Sequence, residues 1–247
     1  DPNMPAFFLY YEKGELVGLL TVYADDPDVE LAILVHPNHR CQGIARALYR
    51  SFEKETASYP IESVTFQTER IFLERHPDFA SNWGLVEDEE TETWLGKDRR
   101  PYPLANVSNL EVLLADRSYQ DQISQLKFQA FSEDHESREV VDRYVAKALK
   151  DPESLLYILL KNGQVIGTCT VDLSSNTNYL FGLAIAELER GKGYGTYLAK
   201  SLINQLIEQN DKAFQIAVED SNLGAKRLYE KIGFVKQTQV VYLKPKV

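Results

Sequence analysis

Apolar and polar positions in the second half of the chain repeat with periods that separate strands from helices. Residues 111–118 (EVLLADRS) alternate like a half-buried strand, whereas QDQISQLKFQAF and SREVVDRYVAKAL repeat at helical spacing. SLLYILLKNGQVIGTCTVDL predicts a hairpin, because Asn162-Gly163 suits its turn. YLFGLAIAEL is apolar almost throughout, which is typical of a strand that is buried on both faces.

The remaining segments complete the order of elements. YGTYLAKSLINQLIEQ predicts an amphipathic helix, and FQIAVE predicts another buried strand. SNLGAKRLYEKIG predicts a short helix with Ser221 or Asn222 as its N-cap and Gly233 as its stop. With FVKQTQVVYL as the last strand, the predicted order is β-α-α-β-β-β-α-β-α-β.

The chain carries an internal repeat with an offset of 149 to 150 residues. KGELVGLLTVY at 13–23 aligns with NGQVIGTCTVD at 162–172, and Arg40 aligns with Arg190. A repeat this long holds a whole domain rather than a solenoid unit. The sequence therefore predicts an α/β protein made of two tandem domains.

The expected domain boundaries follow from the repeat. KDRRPYPLANVSN carries two prolines, charges and small polar residues, which is typical of a linker. We assign residues 1–100 to the first domain, 101–109 to the linker and 110–247 to the second domain. The first copy starts at the hairpin, so we interpret it as truncated at its start.

Composition and charge restrict the class of protein. The chain of 247 residues is 44% hydrophobic and 26% charged, which is the profile of a globular protein. No apolar run approaches the roughly 20 residues that cross a membrane, and no secretory signal is visible. Two cysteines make no disulfide framework, so we expect a cytoplasmic protein. A net charge of −10 argues against a nucleic-acid partner, and no metal site is predicted.

The segment ERGKGYGT at 189–196 joins the buried strand to the amphipathic helix. Glycines let the backbone approach a ligand, and the unpaired N–H groups of a helix N-terminus favour an anion such as a diphosphate. The dinucleotide and P-loop patterns both need glycine where Thr196 stands, whereas Arg190 to Gly195 fit RxxGxG. Taken alone, a glycine-rich turn without a ligand remains the alternative.

A second motif gives this loop a context. LAIAELERGKGYG at 183–195 and NLGAKRLYEKIGF at 222–234 resemble, in order and spacing, the pyrophosphate loop and the C-terminal helix motif of the GNAT superfamily. These proteins are acyl-CoA-dependent N-acyltransferases. The resemblance covers residues 110–247 and implies two tandem GNAT-like domains. Each would hold a mixed, mostly antiparallel sheet flanked by helices, with acetyl-CoA as the co-substrate.

The resemblance also implies roles for individual residues. Leu183 would stabilise the oxyanion through its backbone N–H, and Tyr229 would be the general acid, with a packed aromatic as the alternative for Tyr229. The residues implied to contact coenzyme A are Leu183, Ile185, Arg190, Gly191, Lys192, Gly193, Tyr194, Gly195, Thr196 and Asn222.

The general base is left unassigned, because Tyr179 stands where the family often has a glutamate. Glu219 and Asp220 are the first candidates, with helix N-terminal carboxylates as the alternative interpretation. The acidic loop SEDHES at 132–137 could attract a cationic amine or be an ordinary solvated loop, and its His135 could be a base or a surface histidine.

The first copy keeps the loop motif in the looser form RxxGxA but loses the helix motif. Ala80 stands in the place of Tyr229, and Pro77 interrupts the helix. We expect a partly degenerate, non-catalytic domain that supports the second. The residues of this loop assigned to coenzyme A are Arg40, Gln42, Gly43 and Ala45.

These inferences predict an N-acetyltransferase that moves an acetyl group from acetyl-CoA to a primary amine by direct attack. The expected partner is a small-molecule or peptide amine, and homodimerisation is left open. No membrane partner is expected. The alternative is a coenzyme A-binding sensor or scaffold without catalysis, which the missing strand carboxylate favours and Tyr229 opposes.

Overall fold

The computed structural model of the chain describes residues 4–25, 27–105, 107–131 and 137–246. The strands are β1 (Phe7–Glu12), β2 (Glu15–Asp25), β3 (Asp28–Val35), β4 (Ser63–Glu69), β5 (Leu85–Lys97), β6 (Leu110–Leu114), β7 (Ser154–Lys161), β8 (Gln164–Asp172), β9 (Thr177–Ile185), β10 (Ala213–Glu219) and β11 (Val235–Pro245). The helices are α1 (Ile44–Glu55), α2 (Arg70–Arg75), α3 (Phe79–Asn82), α4 (Gln120–Phe131), α5 (Arg138–Ala148), α6 (Tyr194–Gln209) and α7 (Leu223–Lys231).

Contacts divide the chain into two compact units, Asp1–Glu92 with Thr238–Val247, and Thr93–Gln237. In the first unit, β1, β2 and β3 are antiparallel, β4 joins β3 in parallel, and β11 joins β4 antiparallel. In the second unit, β6 to β9 are antiparallel and β10 joins β9 in parallel. Both sheets are therefore mixed and mostly antiparallel, which confirms the predicted fold class and element order.

The two hairpins turn in the same way. Lys13 and Gly14 have φ of 50° and 86°, and Asn162 and Gly163 have φ of 52° and 79°. A two-residue turn with positive φ at both positions matches the twist of antiparallel strands. The repeat seen in the sequence is thus also a repeat of backbone conformation.

The last strand differs from the sequence-based assignment, which placed residues 110–247 in one domain. Val240 to Leu243 of β11 pair with β4, and Val241 and Leu243 are fully buried in the core of the first unit. The strand β5 passes the other way, since it begins in the first unit and Leu95 lies in the core of the second. A strand belongs to the unit whose strands it pairs with, whatever its place in the repeat. This pairing is why β11 completes the first unit although it ends the second copy of the sequence.

The segment predicted as a linker is held against the second unit. The backbone N–H of Tyr102 donates to Asn204 Oδ1 at 2.8 Å, and Asn204 Nδ2 donates to the Tyr102 carbonyl at 2.9 Å. The Tyr102 hydroxyl donates to the carbonyl of Ile232. Lys97 Nζ and Lys200 Nζ each lie 5.0 Å from the centroid of the Tyr102 ring. These contacts anchor the segment on α6 and the end of α7.

One sheet face is covered in the second unit and exposed in the first. The helices α4 and α5 pack on the face of β7 that carries Leu156, Ile158 and Leu160. The equivalent side chains in the first copy lie on β1 and are exposed: Phe7 to 67%, Leu9 to 50% and Tyr11 to 58%. The elements described in the first unit include no counterpart of α4 and α5.

The exchange of β11 into the first unit can be tested with one matched pair of valines. Val241→Ala should lower the free energy of unfolding by about 2 kcal/mol, because two buried methyl groups are lost. Val235→Ala on the same strand should change it little, because Val235 is 66% exposed. Urea unfolding measures both, and equal effects of the two substitutions would contradict the assignment.

Candidate active site

The strands β9 and β10 separate at one end of the second sheet. Their registered pairing runs from Thr177–Ala213 to Leu180–Ile216 and stops, although β9 continues to Ile185. Beyond Leu180 the edge of β9 that faces β10 is therefore open. Leu183 and Ile185, two of the predicted coenzyme-contacting residues, lie on this open part.

A β-bulge lies at the point where the strands separate. Thr168 pairs with Ala184 and Thr170 with Phe181, so two steps along β8 correspond to three along β9. The extra residue falls at Gly182 or Leu183, and Gly182 has a φ of 59° that favours glycine. A bulge releases backbone groups from the ladder. Leu183 lies at or beside this bulge, on the part of β9 that does not pair with β10.

The predicted anion loop follows β9 directly. Gly191 has a φ of 76°, and Gly193 is the N-cap of α6 with a φ of 84°. Both values lie in the left-handed region, which explains two of the three glycines. Because Gly193 has no side chain to cap the helix, the first N–H groups of α6 remain available to an anion. Tyr194, Gly195 and Thr196 form that first turn.

The two basic residues of the loop are held by the loop itself. Arg190 Nε donates to the Ile185 carbonyl at 3.0 Å, which ties the loop to the end of β9. Lys192 Nζ donates to the Leu188 carbonyl at 2.7 Å and lies 3.1 Å from a carboxylate oxygen of Glu189. These side chains shape the loop and set its charge.

Glu189 connects the loop to the neighbouring hairpin. Lys161 Nζ lies 3.0 Å from both carboxylate oxygens of Glu189 and 5.1 Å from the centroid of the Tyr194 ring. The hydrogen bonds from Lys161 and then Lys192 lower the pKa of Glu189, and the Glu189 carboxylate raises the pKa of Lys161. This network fixes the start of α6 against β7.

The first copy has the same loop conformation. Gly43 is the N-cap of α1 with a φ of 84°, and Arg40 Nε donates to the Val35 carbonyl at 3.1 Å. Cys41 has a φ of 60° where the second copy has Gly191. Gln42 Nε2 donates to the Asn38 carbonyl at 3.3 Å. Arg40, Gln42, Gly43 and Ala45 thus lie in a loop of the predicted shape, and their contact with coenzyme A stays a prediction.

The helix after the fourth strand of the first unit is broken. It consists of the short helices α2 and α3, separated around Pro77, whereas the second unit has the single helix α7. Ala80, at the position of Tyr229, packs against the core of the first unit. The described part of this unit offers no counterpart to the Tyr229 hydroxyl at that position.

Tyr229 and Asn222 occupy opposite ends of α7. Tyr229 is 3% exposed and packs edge to face on Phe234, with ring centroids 5.5 Å apart. Burial, and then Cys169, raises the pKa of Tyr229 well above its ordinary value, so the hydroxyl keeps its proton. Asn222 Oδ1 accepts from the Ala225 N–H at 3.0 Å, which makes Asn222 the N-cap in place of Ser221.

The two candidate bases differ in their surroundings. Asp220 Oδ1 accepts from Thr93 Oγ1 and from Lys226 Nζ, each at 2.6 Å, so this carboxylate is engaged in an ion pair. Glu219 is exposed at the end of β10. Tyr179 stacks between Trp94 and Phe181, with centroid separations of 5.6 and 6.0 Å, so an aromatic row occupies the expected place of a carboxylate.

A cavity of about 320 Å³ lies on the other side of the bulge, among α4, α5 and the strands β7 to β9. Lys127 lines it and lies in the apolar row of α4 formed with Ile123 and Phe131, four residues to either side. This lysine was missed by the sequence analysis, although a single cation in an otherwise apolar helical row is a visible signal. Glu133, Asp134, His135 and Glu136 of the acidic loop lie outside the described residues.

Cys169 lies in the same core cluster as Tyr229 and interacts electrostatically with Lys127. It is fully buried, and burial raises the pKa of its thiol to about 12. A thiol with that pKa stays protonated at neutral pH and is a poor nucleophile. Cys169 therefore serves as a packed neighbour of the site.

Nowhere among the described residues do three or more His, Cys, Asp or Glu side chains gather in a way that could hold a metal ion. None of the helices described has the length and apolar character that a membrane span needs.

Comparison with known proteins gives consistent relatives. A family model for the acetyltransferase (GNAT) family matches residues 1–70 and 120–234. Mycothiol acetyltransferase of Clavibacter sepedonicus is 25% identical over 230 residues, which are 88% of this chain and 73% of the relative.

Solved structures show the same fold at low identity. A tandem GNAT protein from the clavulanic acid biosynthesis pathway has a TM-score of 0.72 at 17% identity, over 97% of this chain and 83% of its own. A GCN5-related N-acetyltransferase of Sphaerobacter thermophilus has a TM-score of 0.70 at 17% identity, over 95% of this chain and 79% of its own.

Replacing Lys161 with Met should raise the pH at which Glu189 titrates. The folded pKa of Glu189 lies below 4.5, so the ion pair is complete above that value and is lost as the pH falls through the folded pKa. Carboxyl ¹³C NMR follows the titration. Lys54→Met is the control: it removes an exposed lysine that pairs with Glu55, and it should leave the Glu189 midpoint unchanged. An unchanged Glu189 midpoint in the Lys161 variant would argue against the network.

Proposed function

The chain belongs to the acetyltransferase (GNAT) family, and we propose that its second unit transfers the acetyl group of acetyl-CoA to a primary amine. The observation that carries this proposal is the convergence of three features on the end of β9: the separated strands, the bulge and the glycine loop. The name of one relative, mycothiol acetyltransferase, supports acetyl transfer in general.

The coenzyme would lie along these features in order. The diphosphate would contact the loop from Arg190 to Gly193 and the first N–H groups of α6, where the helix dipole favours negative charge. The pantetheine chain would enter between the separated strands and pair with the backbone of Leu183 and Ile185, in place of β10. The thioester would then reach the bulge at Gly182.

Direct attack by the amine needs two further groups. The Leu183 N–H would stabilise the oxyanion as the carbonyl becomes tetrahedral. The departing thiolate has a conjugate acid with a pKa of about 8.5, so it leaves readily and needs only a nearby proton. Tyr229 remains protonated at neutral pH and would supply that proton.

The first unit would not catalyse the reaction. Its loop has the backbone conformation of the second, but Ala80 replaces the tyrosine. We therefore propose that the first unit supports the second. A titration with coenzyme A would measure whether its loop binds the coenzyme.

A coenzyme A sensor without catalysis is the second candidate. The aromatic row of Trp94, Tyr179 and Phe181 favours it, because no carboxylate of the described chain occupies that place. The buried, protonated Tyr229 favours the enzyme, since binding alone does not need a proton donor at the thiol.

Thiol release from acetyl-CoA in the presence of different primary amines separates the two candidates. The panel would contain 2-phenylethylamine, glucosamine, spermidine and glycylglycine. Turnover with at least one amine is expected. Tyr229→Phe should lower kcat about a hundredfold, while the Kd for coenzyme A stays unchanged. This factor is at the low end for general acid catalysis, because a thiolate leaves easily even without a proton. Tight coenzyme A binding without turnover would support the sensor instead.

The role of the glycine loop can be tested by comparing Gly193 with Gly14, a glycine of similar positive φ in another part of the chain. Gly193→Ala should weaken coenzyme A binding about tenfold, because holding alanine in the left-handed region costs about 1–2 kcal/mol. Gly14→Ala has the same type of φ, 86° against 84°, and open space around its Cβ, but it lies in a hairpin turn of the first unit. Isothermal titration calorimetry should find wild-type affinity for Gly14→Ala, and equal losses would remove the loop from the site.

A further inference from the structure

We propose that Lys127 is the general base that takes the proton from the acceptor amine. This role rests on the acetyl transfer proposed above. Of the two carboxylates considered first, Asp220 is engaged by Thr93 and Lys226, and Glu219 is exposed at the end of β10.

Lys127 lies between the cavity and the bulge. Its Nζ is 3.1 Å from Thr170 Oγ1, and a Cβ built on Gly182 would be 3.0 Å from the same Nζ. Gly182 forms the bulge where the thioester would lie, so the Lys127 side chain ends beside the position of the reacting carbonyl. An amine that enters from the cavity would meet both groups at this point.

The surroundings of Lys127 favour the neutral amine. No carboxylate among the described residues lies within ion-pair distance of Nζ. Burial lowers the pKa of Lys127 from its ordinary value. The thiol of Cys169 also interacts with it, but it is protonated at neutral pH and brings no compensating negative charge.

Other titratable groups face the same region. Tyr144 and Lys147 line the cavity from α5, and Asp151 lines it from the turn after α5. Cys169 of β8 adjoins Lys127, and Tyr229 of α7 adjoins Cys169. Lys127 is partly buried, and its one described hydrogen bond goes to the Thr170 hydroxyl.

The proton and bond changes balance with these groups. The acceptor ammonium gives one proton to Lys127 Nζ, and the free amine forms a C–N bond with the thioester carbonyl. The C–S bond breaks, the thiolate takes the Tyr229 proton, and the second amine proton passes through solvent to the phenolate. Lys127 releases its proton to solvent. The net change from amine and acetyl-CoA is an acetamide and free coenzyme A.

The two alternative roles of Lys127 predict the same loss for Lys127→Met and opposite results for Lys127→Arg. Lys127→Met removes both the base and the charge, whereas Lys127→Arg keeps a charge that is not lost at accessible pH. If Lys127 is the base, both variants should lose about a hundredfold or more in kcat/KM. If it only supplies positive charge, the arginine variant should retain most of the activity.

The experiment measures thiol release from acetyl-CoA by the full chain with the four amines named above, from pH 5.5 to 9.5. The wild type should show an acidic limb in kcat/KM at the same pH with all four amines, whereas in both variants the limb should follow the pKa of the amine that is used. Lys150→Met, an exposed lysine outside the cavity, is the matched control and should behave as wild type.

Two readouts separate catalysis from folding. The Kd for coenzyme A should be the same in all variants, and the Tm of Lys127→Met should equal or exceed that of the wild type, because a buried ionisable group is removed. A lower Tm with a proportionate loss of coenzyme A binding would show a structural role and overturn the proposal. Full activity of Lys127→Met would overturn the base and leave acetyl transfer intact, whereas an inactive wild type would overturn both.

Discussion

The candidate site depends on one feature of the backbone, the end of the pairing between β9 and β10. Strands in a sheet satisfy each other's N–H and C=O groups, and this pair stops doing so after Leu180 and Ile216. The backbone groups on the open edge of β9 must then bind either water or a ligand that carries amide groups. The bulge at Gly182 and the helix start after Gly193 continue the same surface of unpaired backbone groups. Coenzyme A carries a peptide-like arm and a diphosphate, so a surface of this kind suits both parts.

The duplication retains the backbone of this site more faithfully than its side chains. Both loops place a left-handed glycine at the helix start, and both use an arginine to close the loop onto the preceding strand. Cys41 even adopts the positive φ of Gly191. What differs is the helix after the next strand, where Pro77 breaks the first copy and Tyr229 is buried in the second. Fold and loop shape are therefore shared by the two copies although the helix after the next strand differs.

The sequence indicated the parts of this structure that depend on local rules. Positive φ at glycine, a polar N-cap at Asn222 and alternation in the strands are each determined within a few residues. The exchange of β11 could not be predicted in this way, because the residues that cover Val241 lie far away in the chain. Lys127 was missed for the same reason, since its nearness to the bulge arises only when α4 packs on β8 and β9. The sequence pointed to carboxylates as candidates for the base, whereas the residue proposed from the structure is an amine.

Backbone amide exchange tests the central claim most directly, because it reads the unpaired groups themselves. Hydrogen–deuterium exchange of the full chain, with and without coenzyme A, should show protection at Leu183, Ile185 and the first turn of α6 from Tyr194. Amides of β9 that already pair with β8 should change little. Protection restricted to residues outside 182–196, or no change on saturation with coenzyme A, would contradict the account.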